Sequence, residues 1–225
     1  MYHLKIFTDK KYLCNIVLMF KKRKRARKLR ATKPKNAVFI VKNREAIRLL
    51  ADFTRAEITR LLSRHSMTEK QLSDELGITK AAVAYHLHLL LNARLIEITE
   101  LEAEQHGILQ KFYAPIASLF IIDTDNIPKG VKRFFIQTQI EHLRGMFIIF
   151  RIYHHISEFS SEKLEKLASA LLKQLKEVAQ KHLNDESPED PESFRVKIYS
   201  EAVAKLTEQK EWRSLFENKR KVKKR

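Results

Sequence analysis

Apolar residues recur along residues 45–91 at spacings of three and four, the period of helices that bury one face. Ile47, Leu50 and Ala51, with Phe53 or Thr54, predict a first helix over Glu45–Asp52. Ile58, Leu61 and Leu62 predict a second over Arg55–Arg64. Thr68 then precedes Glu69-Lys70-Gln71, where it suits an N-cap and Gln71 holds the capping-box position three residues on. Leu72 and Leu76 carry this third helix to Gly77, a residue free to adopt the left-handed conformation of a helix end. Thr79 caps a fourth helix whose apolar face is Val83, Leu87 and Leu90 or Leu91. The period then changes. Leu95–Glu100 alternates in part and carries β-branched residues, as a strand does, and Leu101–Gly107 is a polar hairpin tip. Ile108–Ala114 reads as the returning strand, ended by Pro115, and Val38–Val41 as a short strand ahead of the first helix.

Beyond Pro115 the pattern is helical. Val131–Phe159 is one long helix, apolar on most sides. Ser160 or Ser161 caps the next, with Leu164, Leu167, Leu171, Leu175 and Val178 on its face. Asn184–Pro191 reads as a polar linker, and Asp190-Pro191-Glu192 starts the last helix with a cap, a proline and an acid in the right order. Phe194, Ile198, Ala202, Leu206, Trp212 and Phe216 line it. The order helix, helix, helix, strand, turn, strand over 45–115 is that of a winged helix. Thr68–Leu76, Gly77-Ile78 and Thr79–Ala93 form its helix-turn-helix, whose second helix presents a face to a DNA major groove. The expected fold class is mainly α with a small β-hairpin wing: a winged helix-turn-helix plus an α-helical C-terminal domain. Four segments follow: a leader and basic arm (1–36), a DNA-binding domain (37–120), a helical dimerisation and sensor domain (121–218) and a basic tail (219–225).

Charge sharpens this picture through its distribution. The net charge is +17; ten basic residues in Lys21–Lys35 and six in Lys219–Arg225, with no acid in either, supply +16 of it. The body between them is nearly neutral. Such runs are solvated, and their expected partners are phosphates, whose condensed counterions they release. Solubility alone is the plainer reading, and an anionic membrane surface a third. The four glycines, Gly77, Gly107, Gly130 and Gly145, form no phosphate-cradling cluster, so P-loop and dinucleotide folds are excluded. One cysteine, Cys14, makes no intrachain disulfide and fits a reducing cytoplasm. The apolar run Tyr12–Phe20 is too short to span a bilayer and has its charges on the wrong side for a signal peptide. Residues 1–18, ahead of Met19, read as a disordered leader or an overextended reading frame.

Gly77-Ile78-Thr79-Lys80-Ala81-Ala82-Val83-Ala84-Tyr85-His86-Leu87-His88-Leu89-Leu90, followed by Ala93-Arg94-Leu95-Ile96, resembles the recognition helix and next strand of ArsR-type regulators. Gln110-Lys111-Phe112-Tyr113 resembles the wing end of archaeal members. The likeness covers about 70 residues and none of the C-terminal half. It implies that Thr79, Lys80, Ala82, Tyr85 and His86 face DNA; Thr68, the wing-tip His106 and Lys111 are read from the sequence as further candidate contacts. From the charge pattern, Lys21, Lys22, Arg23, Lys24, Arg25, Arg27, Lys28 and Arg30 of the arm bind the backbone. Arg94 stands where the family has glycine, which puts the shape of that turn in question. Glu97, Glu100, Glu102 and Glu104 outnumber Arg94 and Lys111, so the wing is not expected to lie flat on DNA.

His142, His154, His155 and Glu158 lie near one another in sequence, but adjacent histidines diverge by about 100° on a helix, and no metal site is expected. No nucleophile-elbow pattern occurs, so neither an enzyme nor a cofactor is expected. The aromatic excess of 131–159 and the following helices fits a homodimer interface, or else a self-contained helical core. The resulting reading is a cytoplasmic, nucleoid-associated, sequence-specific regulator of double-stranded DNA. A winged-helix protein scaffold and a general nucleic-acid or chromatin binder are its rivals. The effector, if the C-terminal domain has one, is not legible.

Overall fold

The computed structural model describes residues 33–103, 109–154, 160–210 and 212–213. The leader, Lys21–Arg30, His106, Glu104 and the basic tail therefore lie outside the described residues. The chain enters through strand β1 (Asn36–Val41) and forms four short helices: α1 (Arg44–Leu50), α2 (Phe53–Arg64), α3 (Glu69–Leu76) and α4 (Lys80–Asn92). A hairpin of β2 (Ile96–Ala103) and β3 (Leu109–Pro115) follows, then β4 (Ala117–Ile122) and a 3-10 turn at Thr124–Asn126. Three longer helices complete it: α5 (Lys129–His154), α6 (Ser161–Gln180) and α7 (Pro191–Thr207).

Local chemistry sets most of these ends. Asn43, Asp52, Thr68, Thr79, Ser160 and Asp190 each accept a hydrogen bond from the first turn of the helix they cap. Such caps satisfy amide donors that have no partner inside the helix. At Thr68 the capping box is complete in both directions. The second helix starts at Phe53, two residues before the periodicity places it, because Asp52 supplies the cap.

Two hydrophobic cores meet. One holds Ile47, Ile58, Leu62, Leu72, Val83, Leu87 and Leu90 under the hairpin, where Leu95, Ile96 and Tyr113 close it. The other is built by α5, α6 and α7 around Leu143, Leu167, Leu171, Ile198 and Leu206. Phe135 of α5 and Leu172 of α6 belong to the first core, so the helical half reaches into the winged-helix half.

Between them lies a feature that the sequence pattern does not reveal. That pattern predicts helix or connecting chain after Pro115. β4 is instead a strand, paired parallel to β1 with Val38 opposite Leu119 and Ile40 opposite Ile121. Residues 119–122 are uniformly apolar and show no period, and their partner lies about 80 positions away. Once paired, the strand alternates: Leu119 and Ile121 enter the helical core, while Phe120 and Ile122 pack on the winged-helix core. The 120/121 segment boundary falls inside this strand. The 184–190 linker is tied to the same sheet, with Ala37 donating from its amide to the Asp185 carbonyl at 3.0 Å.

Of the apolar residues in 131–159, Phe135, Ile140, Leu143 and Phe147 are buried within the chain. Ile148 is exposed. Among the described residues no helix is long and apolar enough to cross a membrane.

Candidate nucleic-acid interface

The turn between α3 and α4 is built from three contacts. Gly77 takes φ +66°, a conformation that costs a residue with a side chain about 1–2 kcal/mol. Its amide donates to the Ser73 carbonyl at 3.0 Å, and the Ser73 hydroxyl donates to the Ile78 carbonyl at 2.6 Å. Thr79 then opens α4 by accepting from the Ala82 amide at 3.2 Å. Leu72, Val83, Leu87 and Leu90, all buried, pin both helices to α2. α4 is thus held from behind and free in front.

The free face differs by one residue from the one expected. Thr79, Lys80, Ala81, Tyr85, His88 and Asn92 are exposed, with Tyr85 at 61%. Ala81, Tyr85, His88 and Asn92 follow the i, i+4, i+7, i+11 spacing of a single stripe. Ala82 and His86 are half-buried, at the flank of that stripe. His86 Nδ1 is buried without a hydrogen-bond partner, and its ring packs edge-on to Tyr85 at 5.5 Å. His88 and Asn92 are not among the expected DNA contacts. Their signal is their spacing from Tyr85, and the Asn92 amide lies 3.4 Å from the His88 ring nitrogens.

Thr68 must be withdrawn from the expected DNA contacts. Its side chain is buried (2% exposed), and its hydroxyl accepts from the Gln71 amide at 3.3 Å while its own amide donates to Gln71 Oε1. A hydroxyl spent on a helix cap behind the surface cannot reach a phosphate.

At the other end of α4, Arg94 occupies the glycine position with φ +56°. Its amide donates to the Leu91 carbonyl at 2.9 Å, and that of Leu95 to Leu90 at 3.0 Å. This pair of bonds is the Schellman ending that glycine normally provides. The turn therefore keeps the glycine shape, and the arginine bears the strain.

The hairpin is docked at its base. Met67 and Tyr113 exchange two backbone hydrogen bonds, 3.1 and 2.9 Å, which join β3 to the residue before the α3 cap. The buried Tyr113 hydroxyl donates to Glu69 Oε1 at 3.0 Å. Burial first, then this acceptor and its charge, push the Tyr113 phenol up to about 12. A register shift between Ile98 and Glu100 bends the outer part of the wing. Along the hairpin Glu97, Glu102 and Lys111 are exposed, as are the apolar Ile98, Leu101 and Leu109. Lys70, in the first turn of α3, is paired with Asp74. Lys80 is the one cation of α4 itself.

Among the described residues no three His, Cys, Asp or Glu side chains converge as a metal site. His142 sits instead beside Tyr199, ring to ring at 5.4 Å, and desolvation lowers its basicity.

Residues 52–97 match the family model described as bacterial regulatory protein, arsR family. That span runs from the cap of α2 into β2 and contains the whole helix-turn-helix. In sequence the chain matches no curated protein. Among solved structures it is similar to the adhesin competence repressor (AdcR) from Streptococcus pyogenes, with 15% identity over 77% of this chain and 98% of that one, at a TM-score of 0.27.

Proposed function

We propose that this chain is a transcription regulator that reads DNA sequence with α4. The observation that carries the reading is a buttressed helix with one exposed stripe, opened by a left-handed glycine turn. The arsR-family match over 52–97 supports it. Lys80 at the start of the stripe suits phosphate or guanine, Tyr85 the backbone or a thymine methyl, and the small Ala81 and Ala82 permit close approach. His88 and Asn92 extend the same line. Replacing Lys80 and Tyr85 together by Ala should reduce preference for a selected site over random DNA, by about 1–3 kcal/mol for each base interaction removed. Selection of sites from a random pool, followed by competition binding, measures it. An unchanged specificity ratio would remove α4 as the reader.

General affinity in this reading belongs to the basic arm, because the folded body is nearly neutral. Deleting Lys21–Lys35 should flatten the dependence of log K on log salt by about 0.9 for each phosphate no longer neutralised, and leave specificity intact. A homodimer through α5 and its neighbours would match two half-sites; light scattering that shows a monomer at micromolar concentration would contradict it.

A second reading has its own observation. The exposed part of the wing combines acids with Ile98, Leu101 and Leu109, a surface better suited to a protein than to phosphate. Absence of any nucleic-acid binding by the full chain would favour this scaffold role.

A further inference from the structure

Away from the α4 stripe, a cavity of about 550 Å³ opens where α2, β4, α5, α6 and α7 come together. Its size is that of a small-molecule site. Most of its wall is apolar: Leu50, Phe53, Phe134, Phe135, Leu172 and Leu175 contribute. Phe53 is 75% exposed even though its ring lies 4.9 Å from that of Phe134. An aromatic side chain left that open beside a hydrophobic cavity has apolar surface still to cover.

The charged part of the wall lies on α2 and α7, where one carboxylate, Glu57, stands against two guanidinium groups, Arg60 and Arg195. Beside the wall, Glu192 and Arg64 join this group, and Asp190 lies within electrostatic reach of Arg64. Arg60 binds Glu57 through two nitrogens and Glu192 at 2.8 Å. Arg64 also takes Glu192, at 2.7 Å. Arg195 is left with a 3.4 Å approach to Glu192, longer than a charge-assisted hydrogen bond. It lines the cavity with a quarter of its side chain exposed. Burial disfavours its charged form, Glu192 offsets this in part, and Arg60 adds repulsion. The other polar groups on the wall, among them Gln139, His142 and Tyr199, carry no compensating negative charge. The desolvated Tyr199 phenol holds its proton more tightly than usual, and burial makes His142 less basic than usual.

We propose that this cavity binds a small amphipathic carboxylate, its apolar or aromatic body against Phe53, Phe134 and Leu172 and its carboxylate on Arg195. An anion there would complete the pairing that Glu192 leaves unfinished. The site also lies where a ligand can act at a distance. Arg60 belongs to α2, whose Ile58, Leu61 and Leu62 support α4, and it shares Glu192 with Arg195 of α7. A carboxylate that takes Arg195 frees Glu192 to rearrange on Arg60 and Arg64, which alters the tie between α7 and α2, the helix packed behind α4. Binding itself does not depend on the DNA-reading proposal, and it is tested without DNA.

The test is calorimetric titration of the full chain with decanoate and 2-naphthoate, beside the uncharged decanol and 2-naphthamide. At least one carboxylate should bind once per chain with micromolar Kd, and its uncharged counterpart about tenfold or more weakly, as expected for loss of a hydrogen bond to a charged group. The carboxylate that binds tells an acyl-chain ligand from an aromatic one. Arg195→Gln should weaken binding by the same factor, and Arg195→Lys should restore part of it. Ala56→Leu, which fills the cavity from α2, should abolish it and covers the case in which the Arg195 variant fails to fold. Equal binding of charged and uncharged probes, or no binding by either carboxylate below millimolar concentration, overturns the proposal.

Discussion

The α4 stripe and the α2–α7 cavity are both open surfaces, yet they are made in opposite ways. The stripe belongs to one helix of thirteen residues, and its cap, turn and supporting leucines all lie within Leu61–Leu90. The cavity draws its wall from residues spread between Leu50 and Tyr199, about 150 positions of chain. The stripe is backed by fully packed side chains; the cavity is a place where packing stops. A surface of the first kind keeps its shape while it docks. One of the second kind can change shape when filled, because interior side chains lack partners wherever a void remains.

The sharpest way to break this comparison is to remove a leucine from each region. Leu87→Ala takes a side chain that is 1% exposed from behind the stripe, with nothing adjacent to refill the space. It should cost about 3–5 kcal/mol. Leu172→Ala removes a side chain that is 8% exposed and already borders open volume, so the loss should be nearer 2 kcal/mol. Urea unfolding of both variants measures the difference. Equal losses would mean that the two regions are packed alike.

A smaller effect is expected from Glu192→Gln, which cuts the shared carboxylate of α2 and α7. Burial alone would raise Glu192, but the charge of Arg195 and the hydrogen bonds from Arg64 and Arg60 together hold it below the usual range. Its pairing therefore adds stability above the unfolded glutamate pKa of about 4.3, and that stability is lost as pH falls through the lower folded value. The variant should be about 1 kcal/mol less stable at neutral pH, a figure discounted for partial exposure, and should converge with the native chain in strong acid. Melting curves across pH check this. A difference that persists in strong acid would show that packing, not charge, joins the two helices.

The smallest change is Arg94→Gly. It relieves a left-handed arginine but admits a more flexible unfolded chain, so the net gain should stay under about 1 kcal/mol. Thermal melting is sensitive enough to read it. A marked drop in stability would mean that the Arg94 side chain makes an interaction that outweighs the strain of its backbone.

The helix-turn-helix is legible in the sequence because each of its signals is local. Thr68 with Gln71, Gly77, Thr79 and the Leu72/Leu76 and Val83/Leu87 pairs each act within four residues, and all sit where the pattern places them. Two departures at the site share one physical root, which is that local pattern does not fix exposure. Thr68 reads both as a cap and as a DNA contact, and one hydroxyl cannot serve both once it is buried. The stripe falls one residue from its expected position because periodicity identifies the buried side of a helix more firmly than the edges of its exposed side. Ala82 and His86 stand at such an edge.

By itself the sequence determined which segments of the winged-helix half are helical and several of the caps that open them, which helix would be presented, and that the cationic charge lies in the two end segments rather than in the body. Each follows from backbone capping, from the period of burial or from composition, none of which needs a distant partner. Only the tertiary structure decided that residues 117–122 form a strand beside β1, that Phe135 and Leu172 belong to the winged-helix core, and that Arg195 faces a void with half a partner. Those facts depend on which surfaces meet. Contacts between positions 80 to 140 apart are chosen by shape and by competition among all buried groups together, and no local pattern records their outcome.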